Sequence, residues 1–228
     1  MIANKTKFYG GAAMMVAFIV VLIILFMPIF NGQNVLNYLD ALFNSISKGS
    51  AYYIPKVMKE SKKFKDNSVS VALTMANNNQ ALQTAALFKA GGAEAIAKEA
   101  NLKVTGDLGR ILANSLADAD AMYINDGGKV SGKYGYDEKR VLFNWWKAFK
   151  ELDKDLKKQK KFNEAKGVAL VVKKAVESSY NYYRIEPQKI SDRFGVVLFA
   201  LVFYVFYTLW YGFGIMFMFE GWGLALGH

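Results

Sequence analysis

The sequence predicts an all-α membrane protein in which two transmembrane helices flank a helical-bundle extramembrane domain. Three observations carry this. Phe8–Phe30 and Phe194–Phe219 contain no charged residue, and runs of this kind reach the ~20 apolar residues that cross a bilayer. The stretch between them is polar and rich in Lys. Within it, apolar residues recur at three- and four-residue spacing, the period of an amphipathic helix.

Charge follows the same division. Of 29 basic and 19 acidic residues, 27 and 18 lie between Asn31 and Arg193, so that segment carries +9 of the formal +10. Such a domain suits an acidic protein partner, anionic headgroups or nucleic acid. Cysteine is absent and the single histidine is His228. Disulfides, thiolate metal sites, imidazole metal sites and His general bases are therefore not expected from this chain, and no bound cofactor is required. RNA- and DNA-binding motifs are missing, and a basic domain outside the cell would rarely meet nucleic acid.

Residues 1–7 form a short polar stub with Lys5 and Lys7, and 8–30 the first transmembrane helix. The apolar run is longer than the ~7–15 residues of a signal peptide core, and MPIFNGQ does not resemble a cleavage site. Gly10, Gly11, Ala12 and Ala13 leave its first turns thin enough for close helix contact, and Pro28 marks its exit. Lys5 and Lys7 place both termini in the cytoplasm of a plasma (inner) membrane, with the middle domain extracytoplasmic, or periplasmic in a bacterium. Arg184, Lys189 and Arg193 before the second span argue the other way, but the first span usually governs.

The domain spans 31–188. Val35, Leu36, Leu39, Leu42, Phe43 and Ile46 predict an amphipathic helix over 33–47, ended at Lys48–Gly49–Ser50. Tyr52, Tyr53 and Pro55 read equally as an interfacial belt or a core-packed loop. Lys56–Lys65 reads as a solvated basic helix face. Ser68–Ala90 and Ala93–Leu102, rich in Ala, Gln, Asn and Leu, read as helices broken at Gly91–Gly92, with the Asn run at 77–79 weak for a helix. No strand pattern is evident. Thr105–Gly106–Asp107 is a turn and helix start, followed by a face of Leu108, Ile111, Leu112, Leu116, Ala119, Met122 and Tyr123. Residues 125–135 read as a loop. Asp137 caps a helix whose Leu142, Trp145, Phe149, Leu152 and Leu156 form a heptad seam. Val168, Val171, Val172, Ala175 and Ser179 make the next stripe, and Tyr180, Tyr182 and Tyr183 approach the membrane. Pro187 separates this helix from the second transmembrane helix, 189–220, and 221–228 is a short tail.

Few constellations suggest chemistry. Gly127–Lys133 fits GxxxxGK of a phosphate-binding loop, but Tyr134 stands where Ser or Thr should hold magnesium and no strand precedes it. Lys129 and Lys133 remain as a generic anion site. Asp118, Asp120, Asp126, Asp153 and Asp155 fit no calcium loop and read as solvated surface. Trp146 sits beside the seam residue Trp145, about 100° round the helix, and can face a partner.

The last helix carries the most patterned face. Phe199, Phe203, Phe206, Trp210, Phe213 and Phe217 form one aromatic stripe. Tyr204, Thr208 and Tyr211 form a second face beside Tyr207, and their hydroxyls in lipid need partners: another helix, a bound lipid or a quinone-like cofactor. Gly212 and Gly214 permit close approach there. Glu220, an acid at the end of a membrane run, is a functional candidate, although ~26 residues at 1.5 Å each put it at the far headgroup level.

These features predict a non-catalytic accessory or scaffold subunit of a larger membrane complex, respiratory or transport in type. It docks partner subunits and lipids through the second membrane helix, and partners through Trp146, Lys129 and Lys133 of the domain. One alternative is a ligand-sensing module, since helical bundles between two membrane helices are a common receptor layout. It would bind a small molecule and, with the chain ending near His228, signal laterally. A homo-oligomeric channel or transporter component is the other, disfavoured because neither span holds a mid-membrane charge.

Overall fold

The structure, a computed structural model, describes residues 2–30 and 32–224. The far part of the expected tail, 225–228 with His228, lies outside the described residues, as do Met1 of the stub and Asn31 at the expected helix exit. The chain divides into two compact units: residues 1–49 with 187–228, and residues 50–186.

The first unit is built on two antiparallel helices, α1 (Lys5–Phe26) and α10 (Ile190–Trp222), both long and apolar enough to cross a membrane. The Asn4 side chain caps α1 by accepting from Lys7 N at 3.1 Å. The helix ends just ahead of Pro28, whose ring cannot continue it. Helix α2 (Val35–Ser50) follows and has the amphipathic pattern expected of 33–47. Gln188 N donates to Ser45 O at 3.2 Å as the chain returns toward α10.

The second unit is mostly helical but is not all-α. Helix α3 (Ile54–Ser61) and a 3-10 turn (Lys62–Phe64) lead into strand β1 (Ser68–Thr74), helix α4 (Asn78–Ala90), and strands β2 (Glu94–Lys98) and β3 (Asn101–Asp107). The segments expected as helices over 68–90 and 93–102 therefore hold strands at 68–74 and 94–98 and the start of a third at 101. The sheet order is β1-β3-β2, with β3 antiparallel to both neighbours. Its alternation is visible once known: Val69, Val71 and Leu73 are buried, and the residues between them are exposed. Register stacks Val71, Val104 and Ala95 in one buried row, and Leu73, Leu102 and Ala97 in the next. Small Ala residues on β2 and a seven-residue β1 gave a pattern too short to outweigh the helical composition around it. The Asn run is the start of α4, not a weak interior, because the Asn77 side chain accepts from Gln80 N at 2.9 Å.

The outer edge of β1 is sealed by side chains. Ala72 N donates to Asp155 Oδ2 at 3.3 Å, and Gln159 Nε2 donates to Ser70 O at 2.9 Å. These contacts occupy groups that would otherwise template edge-to-edge pairing. Asp155 lies on α7 (Glu138–Lys158) and Gln159 at its C-cap, and the heptad residues Leu142, Trp145, Phe149, Leu152 and Leu156 of this helix are fully buried. Around it pack α5 (Leu108–Tyr123), α6 (Gly127–Tyr134), α8 (Phe162–Val171), a π-helical turn (Val172–Val176) and α9 (Glu177–Tyr182). Helix α6 replaces the loop expected over 125–135. Gly135, at φ 76°, ends it in the left-handed conformation. Gly127 is required where it stands, since a Cβ there would overlap the Tyr183 hydroxyl.

Gly106 lies where β3 meets the start of α5, with Ala93 against it. Gly106→Ala would set a Cβ 2.6 Å from Ala93 Cβ, an overpacking expected to cost about 1–3 kcal/mol and to lower the melting temperature. Gly128→Ala meets nothing within 4 Å and is expected to leave the melting temperature unchanged or raise it, Ala favouring a helix by ~1 kcal/mol. Circular-dichroism melts of the two variants check the contrast.

Candidate functional site

The expected aromatic face of α10 is split by the way α1 packs. Tyr207 donates to Phe18 O at 3.1 Å and stacks on the Phe18 ring at 4.2 Å. Trp210 Nε1 donates to Met14 O at 3.1 Å. Three glycines let the backbones meet: a Cβ on Gly11 would lie 2.7 Å from Gly214 O, and Gly214 and Gly221 would press on Met15 and Phe8. Phe203 continues this line by stacking on Tyr207 at 5.4 Å. At 100° per residue, Phe206 and Phe213 lie roughly 100° and 120° round from Tyr207, clear of α1. Phe199, Tyr204 and Phe206 are 67–69% exposed, and Tyr211 and Phe213 are exposed as well. Phe217 is half-buried and stacks on Phe213 at 6.3 Å.

Thr208 needs no external partner, because its hydroxyl donates to Tyr204 O at 2.7 Å one turn back. Of the two glycines flagged for close approach, Gly214 makes it and Gly212 faces open space. Glu220 is held within the unit: Lys7 Nζ lies 2.8 Å from its Oε2. Asn4 N donates to Gly221 O at 2.9 Å at the same end.

In the second unit the GxxxxGK segment is helix α6, so no phosphate-cradling loop forms. Lys133 Nζ lies 2.7 Å from Asp118 Oδ1 and 2.6 Å from Asn114 Oδ1. Lys129 stands exposed on the same helix without Lys133 as a companion. Asp118, expected on the surface, is 3% exposed. Its Oδ2 accepts from the Tyr134 hydroxyl at 2.6 Å and from Trp145 Nε1 at 2.8 Å. Burial, and then the Asp118 charge, push the Tyr134 hydroxyl well above its ordinary range, so it remains a donor. Asp120 accepts from the Tyr52 hydroxyl at 2.5 Å, a bond that leads in raising that hydroxyl to about 12. Tyr52 also leans on Tyr123, and Lys174 stands 4.3 Å over Tyr53. Tyr182 packs edge-on to Tyr123.

Trp146 lines a groove. Its Nε1 donates to Glu177 Oε1 at 2.7 Å. With Phe143, Val176, Glu177, Tyr180 and Asn181 it walls a cavity of about 340 Å³. Four cations stand over the rings: Arg140 at 5.1 Å from Phe143, Lys147 and Lys150 at 5.1 and 5.3 Å from Trp146, and Lys139 at 5.4 Å from Tyr180. Sequence reasoning found Trp146 and missed the rest. The signal was present in α7, where cations at 139, 140, 147 and 150 bracket aromatics at 143 and 146. The opposite wall was not legible, because it depends on the π-helical turn setting the phase of α9. Such turns often occur at functional sites. Compared with protein-family models, curated proteins and solved structures, the chain matches no family model, no curated protein and no solved structure.

Two predictions follow from this geometry. A Cβ on Gly214 lies 3.6 Å from Met14 Cβ, within disulfide range. In a chain lacking native cysteine, Met14→Cys with Gly214→Cys is expected to form an intramolecular disulfide on oxidation, and Met14→Cys with Gly212→Cys is not. Intact-mass measurement after alkylation reads the result. Separately, the Tyr183 hydroxyl donates to Glu138 at 2.7 Å and, with the Arg184 guanidinium, holds that carboxyl below its ordinary 4.5. A depressed carboxylate stabilises above its unfolded pKa and loses that contribution as pH falls through the folded one. The melting-temperature gap between wild type and Glu138→Gln is therefore expected to be full at neutral pH and to close in acid.

Proposed function

We propose that the chain is a two-span membrane protein acting as a non-catalytic docking subunit of a larger membrane complex. Helices α1 and α10 cross the bilayer as a pair, the termini are cytoplasmic, and the basic second unit is extracytoplasmic. The observation that carries the docking reading is the side of α10 that α1 leaves open. There Phe199, Phe206 and Phe213 are 47–69% exposed on one flank of the α1 contact, and Tyr204 is 67% exposed on the other. A helix needed only as an anchor has no use for Tyr at mid-span, since a hydroxyl among lipid tails seeks a partner.

A ligand-sensing reading draws support from the cavity beside Trp146 and requires a small molecule that raises the melting temperature of the whole protein. A lipid or quinone lying on the open side of α10 is the competing occupant there.

The test is photo-crosslinking in native membranes. A photoreactive residue at Phe206 is expected to capture a distinct partner polypeptide, which also co-purifies in mild detergent. The same group at Trp210 is expected to react within the chain. Capture of lipid alone at Phe206, with recovery of a lone monomer, would remove the docking reading.

A further inference from the structure

We infer that the groove between α7 and α9 holds an acidic segment of a partner protein, anchored by one large apolar side chain. The inference rests on the docking reading and names the chemistry of what docks. The floor is apolar and aromatic: Phe143, Trp146, Val176 and Tyr180. At about 340 Å³ it suits a single bulky side chain, being at the low end of the ~300–1,000 Å³ of small-ligand pockets.

The rim is positive. Lys139, Arg140, Lys147 and Lys150 rest over the aromatic rings. None of them pairs with a carboxylate among the described residues, whereas Lys133, Lys154, Lys157 and Arg184 of the same unit do. Glu177 is the acid in the groove, and it already accepts from Trp146. The four rim cations thus have no ion-pair partner among the described residues and are complementary to Asp and Glu.

A second cavity of about 270 Å³ shares Glu177 with the first and extends past Lys150, Asp153 and Lys173. Two adjoining cavities along one seam fit an extended segment better than one compact ligand. That length favours a peptide over an anionic lipid headgroup.

The full-length protein in a non-ionic detergent is titrated against a fluorescein-labelled peptide alternating Glu and Leu about a central Phe, with empty micelles as baseline, and followed by anisotropy. Binding is expected, weakening as salt rises. Replacing every Glu of the peptide by Gln, or replacing Trp146 by Ala, is expected to weaken it roughly tenfold or more. The Lys147→Gln, Lys150→Gln double variant, altered only at exposed positions, is expected to do the same without changing the melting temperature. Absence of peptide binding, equal binding of the Gln peptide, or binding indifferent to the double variant would overturn the proposal. So would Lys147- and Lys150-dependent binding of phosphatidylglycerol vesicles in place of the peptide. The Phe206 crosslink is scored independently. Peptide binding without that crosslink removes the membrane-docking reading, and the crosslink without peptide binding removes the groove alone.

Discussion

A carboxylate taken out of water must be compensated on the spot, and in the second unit that carboxylate is Asp118. It is 3% exposed and receives Lys133, the Tyr134 hydroxyl and the Trp145 indole. These donors come from α6 and α7, so one side chain on α5 fixes both neighbours. Losing a partner of such a buried group costs on the order of 3–5 kcal/mol, because the remaining charge has nowhere to go. Much of the unit follows. Pinning Trp145 sets the rotation of α7 and turns Trp146 outward to Glu177. The same rotation places Asp155 and Gln159 against the open edge of β1. Lys133, drawn to Asp118, is lost to any anion site.

The first unit obeys a different constraint. Between apolar helices there is little to gain from hydrophobic burial if both already sit in a lipid-like medium, so contact depends on close packing and polar anchors. Gly11, Gly214 and Gly221 supply the closeness. Tyr207 and Trp210 supply anchors by donating to main-chain oxygens of Phe18 and Met14. The Lys7–Glu220 pair adds little energy where it is exposed, but it fits the register set by the glycines.

The limits of sequence reading have identifiable causes. The seam of α7 and the face of α5 were legible because many residues report one period. The aromatic stripe of α10 was legible as a pattern, yet its meaning was not: Phe203 and Trp210 turn toward α1, while Phe199, Phe206 and Phe213 turn away. Only about 60° separates those fates, and the position of the partner helix decides them. The sheet was missed because β2 offers only five residues and two of them are Ala. Asp118 was placed on the surface because an isolated Asp usually is, and its three donors lie 15 to 27 positions further along the chain.

Local order thus came from the chain itself: two uncharged runs long enough to cross a bilayer, a charged middle, the heptad seam of α7, and the cap at Asp137. These are one-dimensional signals, since a helix buries its apolar face whatever it packs against. Tertiary structure alone decided the three-stranded sheet, the helix in place of a phosphate loop, the covered and open sides of α10, and the second wall of the Trp146 groove. Each of these depends on which distant group satisfies a buried charge, donor or thin backbone, and such pairings are chosen in space, with no period along the sequence to announce them.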